Sequence, residues 1–81
     1  MKIEVKLFAA ARQFAGAESV EVEVDDGAAV GDLRRALCER LPEARAVVSH
    51  AMFAMDMDYV SDATPLRPGA EIACIPPVSG G

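Results

Sequence analysis

The sequence predicts a small α+β domain in which one main helix packs on a mixed β-sheet. The hydrophobic pattern has period 2 in two early segments, a period of about 3.6 in one central segment, and period 2 again near the end. The 81 residues, 52% of them hydrophobic, suffice for one compact core. Strands, then a helix, then strands that complete the sheet are the order expected of this fold class.

Two alternating segments predict the first two strands. Residues 2–8 place three aliphatic side chains on one face, and charged side chains together with Phe8 on the other. Residues 18–24 alternate in the same way, with valines inward and glutamates outward. We expect these strands to pair as an antiparallel hairpin.

The connector between these strands, residues 9–16, predicts a turn or a single helical turn. Gly16 is a suitable residue to end it, because glycine adopts the left-handed conformation that closes a helix. Arg12 is expected to be exposed and Phe14 to be tucked under the domain.

The main helix is predicted after the turn signal at residues 25–27, where the hydrophobic period changes. Ala29 is a poor N-cap residue, but Asp32 in the first turn suits the helix dipole. Pro42 ends the helix, and Cys38 lies at the edge of the buried stripe. The apolar face consists of Val30, Leu33, Leu37 and Leu41.

The second half of the chain predicts one short helix and three short strands. The helix covers residues 44–48, and a strand at residues 51–55 turns through residues 56–58 into a brief strand at residues 59–60. The methionines here are expected to fill gaps in the core. Residues 71–75 form the last strand, which a right-handed crossover would place parallel to the first at the sheet centre.

Composition disfavours several classes of function. The net charge of −5 disfavours nucleic acid and anionic membranes, and suits a basic protein partner. Cys38 and Cys74 are expected to be reduced, packed thiols, and His50 a surface residue. We find no catalytic set, no metal-ligand spacing, no signal peptide and no membrane span, so we expect a cytoplasmic protein.

The segment after the last strand, Pro76-Pro77-Val78-Ser79-Gly80-Gly81, is the candidate reactive group. The prolines make a stiff arm that cannot extend the sheet. Gly80 and Gly81 lack Cβ atoms, so they can pass through a narrow slot and present a carboxylate at its end. We therefore predict a domain of residues 1–76 and a reactive tail of residues 77–81.

Four stretches of the chain together carry a family resemblance: Phe8-Ala9-Ala10-Ala11-Arg12, the helical pattern of residues 30–41, Pro65-Leu66 followed by Gly69, and the closing run of residues 71–81. They resemble the small subunits of molybdopterin synthase, which are ubiquitin-like sulfur carriers. The resemblance implies a β-grasp fold, with a mixed sheet of four to five strands, one main packed helix and a flexible C-terminal Gly-Gly tail.

The resemblance also implies a chemical cycle in molybdenum cofactor biosynthesis. A ubiquitin-activating-like adenylyltransferase would use ATP to join the Gly81 carboxylate to AMP. Sulfur from a persulfide would then displace AMP and leave a thiocarboxylate. That sulfur would be donated to cyclic pyranopterin monophosphate in the active site of the large synthase subunit, two charged tails being used per dithiolene. The implied assembly has two small and two large subunits.

In that cycle the chain carries sulfur and binds no cofactor. Because it has no catalytic set of its own, whether it counts as an enzyme stays open. Gly80 and Gly81 would carry the chemistry, and no nucleic acid or membrane is implied.

The partner surface is predicted on the sheet face opposite the main helix. Strand alternation places Phe8 and Ile75 outward, where Tyr59 could join them, and an apolar cluster on that face would mark an interface. Arg12 is a candidate rim contact. The residues after the last strand that are expected to touch the partner are Pro76, Pro77, Val78 and Ser79.

Two alternatives remain from the sequence. The first is the sulfur carrier of the thiamine pathway, a β-grasp protein that also ends in Gly-Gly. The second is a non-covalent ubiquitin-like binding module that never reacts at its end. Incubation with ATP and the adenylyltransferase separates the second from both carriers, because a pure binding module forms no acyl-adenylate.

Overall fold

The computed structural model describes residues 1–77, a five-stranded sheet with helices packed on one face. The predictions for Val78, Ser79, Gly80 and Gly81 lie outside the described residues. In chain order the elements are β1 (Lys2–Leu7), α1 (Ala9–Ala15), β2 (Ser19–Glu23), α2 (Val30–Arg40), a 3₁₀ turn (Pro42–Ala44), α3 (Arg45–Val48), β3 (Met52–Met55), β4 (Asp58–Val60) and β5 (Ile72–Ile75).

The sheet is mixed, with strand order β2-β1-β5-β3-β4. Strand β1 pairs antiparallel with β2 and parallel with β5, and β3 pairs antiparallel with both β5 and β4. The last strand therefore lies at the centre of the sheet beside the first, as predicted. The α+β class and the predicted hairpin of the first two strands are confirmed.

The core lies between the sheet and α2. The predicted helix face is buried, and it packs with the inward side chains of β1, β3 and β5. The poor N-cap is compensated in two ways: the Asp32 carboxylate accepts the Ala29 N–H at 2.9 Å, and Gly31 N–H donates to the Asp62 carbonyl at 2.9 Å. None of the described helices has the length and apolar character needed to cross a bilayer.

The connector after β1 differs from the prediction. It is a seven-residue helix, α1, rather than a single turn, and Gly16 closes it with a left-handed φ of 70° as expected. Phe14 is not tucked under the domain, because its side chain is 54% exposed. The small side chain of Ala11 is the one that α1 buries, which lets the helix lie close to the domain and leaves Phe14 outside.

The expectation for the methionines was wrong at two positions. Met57 is 89% exposed because it sits in the two-residue turn between β3 and β4. Met52 is exposed because it alternates with buried Phe53 and so faces the other side of the sheet. Met55 does pack against the core, as predicted.

Candidate partner surface and tail

The solvent face of the sheet carries an apolar patch where β1 and β5 end. Lys6, Ala73, Ala54 and Tyr59 lie in one register row across β1, β5, β3 and β4. The next row toward the end of β5 pairs Ile75 with Met52. We define the apolar patch as Phe8, Met52, Ala54, Tyr59, Ala73 and Ile75.

The side chains at the margins of the patch are exposed to solvent, whereas those at its middle are less exposed. Phe8 is 45% exposed, Met52 is 53% exposed and Tyr59 is 63% exposed, whereas Ile75 and Ala73 are half-buried between them. Elsewhere the same face of β1 and β2 carries Lys and Glu side chains. The outward placement of Phe8 and Tyr59 agrees with the sequence prediction.

Met52 is a patch residue that sequence reasoning missed. The signal was available in the alternation of residues 52 and 53, since a buried Phe53 requires its neighbour to face away. The pairing of Met52 with Ile75, however, comes from the register of β3 on β5, which links positions far apart in sequence.

Backbone geometry fixes the position of Phe8. Its N–H donates to the Cys74 carbonyl at 3.2 Å, so the chain is still tied to β5 after β1 ends. Ala9 then adopts a left-handed φ of 51°, which turns the chain into α1. A non-glycine residue in this conformation is strained, and such strain concentrates at functional sites. Phe8 is thus held beside the end of β5.

The tail begins at this same place. Pro76 directly follows Ile75 and is buried, whereas Pro77 is exposed. Burial of Pro76, the last residue of the domain, fixes the point from which the tail leaves. It also removes most of the Pro76 side chain from contact with a partner. The chain therefore leaves the sheet at the border of the apolar patch.

Arg12 is exposed, as predicted, but it is already paired. Its guanidinium donates to the Glu18 carboxylate at 2.8 Å across the end of α1. Its backbone N–H donates to the Phe8 carbonyl at 3.4 Å, one helical turn from the patch. Arg12 therefore lies next to the patch but is not part of it.

The two thiols lie apart from this surface. Cys74 is buried on the helix side of β5, and burial raises the pKa of its thiol to about 11, with a smaller opposing effect of the Arg34 charge. Cys38 is half-buried on α2, with its Sγ 3.9 Å from the Arg45 carbonyl oxygen. His50 is a surface residue, as predicted. Within residues 1–77 no three acidic, Cys or His side chains group as metal ligands.

Comparison with known proteins places these features in a family. A model of the ThiS family matches residues 5–81. The molybdopterin synthase sulfur carrier subunit of Chlamydomonas reinhardtii is 37% identical over 83 residues, and small archaeal modifier protein 3 of Haloferax volcanii is 34% identical over 92 residues; both alignments cover all of both chains.

Among solved structures, SAMP1 from Haloferax volcanii superposes with a TM-score of 0.86 at 32% identity, over the whole of both chains. This likeness confirms the expected ubiquitin-like β-grasp fold. The resemblance to the molybdopterin synthase small subunits is also confirmed, because a relative of that name aligns from end to end. The extent of the family match shows that this chain belongs to the ThiS family.

Proposed function

We propose that this chain is the sulfur carrier subunit of a molybdopterin synthase. The observation that carries the proposal is the 37% identity to a sulfur carrier subunit over the entire chain, because the alignment includes the Pro-Pro-Val-Ser-Gly-Gly tail. The fold supports it as well, since the tail leaves a central strand at the border of an exposed apolar patch.

The proposed chemistry takes place at the Gly81 carboxylate. A carboxylate is a poor electrophile, so a partner adenylyltransferase first joins it to AMP, with release of pyrophosphate from ATP. The terminal sulfur of a persulfide then attacks the acyl carbon, and AMP leaves with the bonding electron pair. Cleavage of the resulting S–S bond by a thiol reductant frees the thiocarboxylate. Its sulfur is the nucleophile delivered to cyclic pyranopterin monophosphate.

The proposed partner in that step is the large synthase subunit. Its active site would receive Gly80 and Gly81, while its surface covers the apolar patch at the base of the tail. A partner that encloses the tail must also hold the domain, and the patch is the apolar surface nearest to it. We propose that the adenylyltransferase uses the same patch, so that the two complexes exclude one another, and that the synthase has two small and two large subunits.

Intact-mass analysis tests the proposal. After incubation with ATP, the adenylyltransferase and a persulfide donor, the chain should gain the mass difference between sulfur and oxygen. A variant that lacks Gly81 should gain nothing and should fail to support pyranopterin sulfuration. Its melting temperature should stay within a few degrees, because Gly81 comes after the last strand in the sequence. Sulfuration by the shortened chain would show that the reactive group lies elsewhere.

A second candidate function is protein modification. It is favoured by the 34% identity to small archaeal modifier protein 3 over the whole chain. The same acyl-adenylate could be attacked by an amine of another protein instead of a persulfide, which would form an amide at Gly81. The mass experiment distinguishes the two products, since modification yields higher-mass conjugates that resist thiol reductants.

A further inference from the structure

The outer edge of β2 is a second candidate binding surface, separate from the apolar patch. Met1 and Val24 exchange two hydrogen bonds at 2.6 and 2.9 Å, which marks them as a hydrogen-bonded pair. Such pairs alternate along an antiparallel ladder. Ser19, Glu21 and Glu23 therefore occupy the intervening positions, where the backbone N–H and C=O groups point away from β1.

This row of backbone groups is open to a further strand. In the part of the chain that the structure describes, β2 pairs with β1 alone and lies at the edge of the sheet. An edge strand with free donors and acceptors is a template for an added strand. Three consecutive outward positions offer as many as six hydrogen bonds.

A groove runs beside this edge, between β2 and α2. It has a volume of about 510 Å³, and its floor includes Val22 and Ala36. A second depression of about 450 Å³ adjoins it and shares Glu23, Ala36 and Glu39. Alternate side chains of an added strand would point into this groove, while the others would lie on the solvent face beside Glu21 and Glu23.

The negative charge of the β2 edge favours a partner strand that carries positive charge. Six carboxylates line the two depressions, against three cationic side chains. Glu23, Asp25 and Glu39 make no ion pair with any residue of the range 1–77. Pairing of two β2 edges would bring the glutamates of two copies of this chain together, so these side chains disfavour self-association. The same glutamates attract a basic segment.

We propose that the β2 edge binds an extended, basic segment of a partner protein, which pairs with Ser19–Glu23 as a sixth strand. The lysine or arginine side chains of that segment lie beside Glu21 and Glu23, and its apolar side chains cover Val22 and Ala36. Strand β1 separates β2 from β5. This partner can therefore bind at the same time as another protein that holds the tail and the apolar patch.

Titration of the full chain with a short peptide of alternating valine and lysine tests this. The amide resonances of Ser19, Glu21 and Glu23 should shift and exchange more slowly with solvent as their N–H groups become bonded. Glu21→Lys should weaken binding about tenfold, because one attraction becomes a repulsion. Glu4→Lys is the matched control. Glu4 lies directly opposite Glu21 in the β1–β2 register and on the same face, but it belongs to an interior strand. It should change the affinity less than twofold.

A second variant separates backbone pairing from charge. Glu21→Pro removes an outward N–H and blocks the edge while leaving the bonds from β2 to β1 in place, so it should abolish binding. The proposal is overturned if an alternating valine and glutamate peptide binds equally well, if the peptide shifts the resonances of Phe8 and Ile75 instead, or if Glu21→Lys and Glu4→Lys weaken binding equally. Concentration-dependent dimerisation through β2 would also overturn it.

Discussion

At the scale of single residues, Arg34 holds together three segments that are distant in sequence. From α2 its guanidinium donates to the Val48 carbonyl at 3.0 Å, to the Ala51 carbonyl at 2.6 Å and to the Asp62 carboxylate at 2.7 Å. It also lies 4.8 Å from the centre of the Phe53 ring. A planar donor group with several fixed N–H directions is needed for this arrangement, which a lysine cannot reproduce.

We therefore expect Arg34→Lys to lower the free energy of unfolding by about 2 kcal/mol, because several charge-assisted hydrogen bonds are lost together. Arg35→Lys is the matched control. Arg35 is the next residue of α2, is mostly exposed and pairs only with Asp32 within the described chain. Its replacement should change stability by less than about 0.5 kcal/mol. Urea unfolding of both variants measures the difference, and equal losses would contradict the bridging role of Arg34.

Cys74 should be chemically silent at neutral pH. Its pKa of about 11 leaves almost no thiolate in the folded protein, so iodoacetamide should modify Cys38 first and Cys74 only after unfolding. Replacement of both cysteines should leave sulfur transfer intact. Mass spectrometry of the alkylated peptides gives the order of reaction, and rapid modification of Cys74 in the folded chain would contradict the prediction.

The same pKa predicts a pH dependence of stability. In the folded state the thiol pKa is raised from 9.0 to about 11, so folding favours the neutral form. The contribution of the neutral Cys74 thiol to the free energy of unfolding is complete below pH 9. It is lost as the pH rises toward 11, because between these values the thiol ionises in the unfolded chain but not in the folded one. By pH 10 the wild-type chain should lose about 1 kcal/mol more stability than a Cys74→Ala variant. Equal losses would show that the thiol is not shielded.

At the scale of elements, the β3–β4 hairpin carries local strain. Its two-residue turn places Asp56 at φ 50° and Met57 at φ 73°, both left-handed. Asp56 has compensating contacts: its carboxylate accepts the Glu71 N–H at 3.0 Å and pairs with Arg67. Met57 has an almost fully exposed side chain and no comparable support among the contacts of residues 1–77.

Met57→Gly should therefore stabilise the domain by about 0.5 to 1 kcal/mol, since glycine relieves left-handed strain but has a more flexible unfolded state. Met52→Gly provides the opposite control, because Met52 lies in regular strand β3, where glycine weakens pairing. Thermal unfolding should show a higher midpoint for the first variant and a lower midpoint for the second. A lower midpoint for Met57→Gly would show that its conformation is not strained.

At the scale of the whole molecule, the apolar patch is assembled from three strands, β3, β4 and β5, and from the residue after β1. No single segment contains it, and its position beside Pro76 follows from β5 being central and parallel to β1. A partner that docks on the patch thereby meets the tail at a defined place. The patch is a property of the sheet rather than of any one strand.

Phe8→Ala and Ile75→Ala should each weaken binding of the large synthase subunit by about 1–4 kcal/mol, the range for buried anchors of an interface. Phe14→Ala is the matched control, because Phe14 is similarly exposed, at 54% against 45% for Phe8, but lies on α1 rather than on the sheet face. Calorimetric titration should show no loss for Phe14→Ala. If the Phe8 and Ile75 variants also keep full affinity, the interface lies on another surface.

Local pattern alone was enough to predict most of the architecture. Two kinds of pattern were enough: the alternation of residues 2–8 and 18–24, and the helical spacing from Val30 to Leu41. Each pattern depends only on which side chains of one element can be buried, so it predicts that element without knowledge of the elements packed against it. The outward direction of Phe8 follows from the same alternation. The sulfur-carrier assignment came from the closing run of residues 71–81 and from its resemblance to the small subunits of molybdopterin synthase.

Tertiary structure decided the features that join distant segments. The exposure of Phe14 depended on how closely α1 could approach the domain, and the pairing of Met52 with Ile75 depended on the register of β3 on β5. The burial of Pro76 and the bridging of three segments by Arg34 likewise involve contacts that no local period encodes. Periodicity shows which face of an element is buried, whereas the neighbours of that face are set only when the sheet assembles.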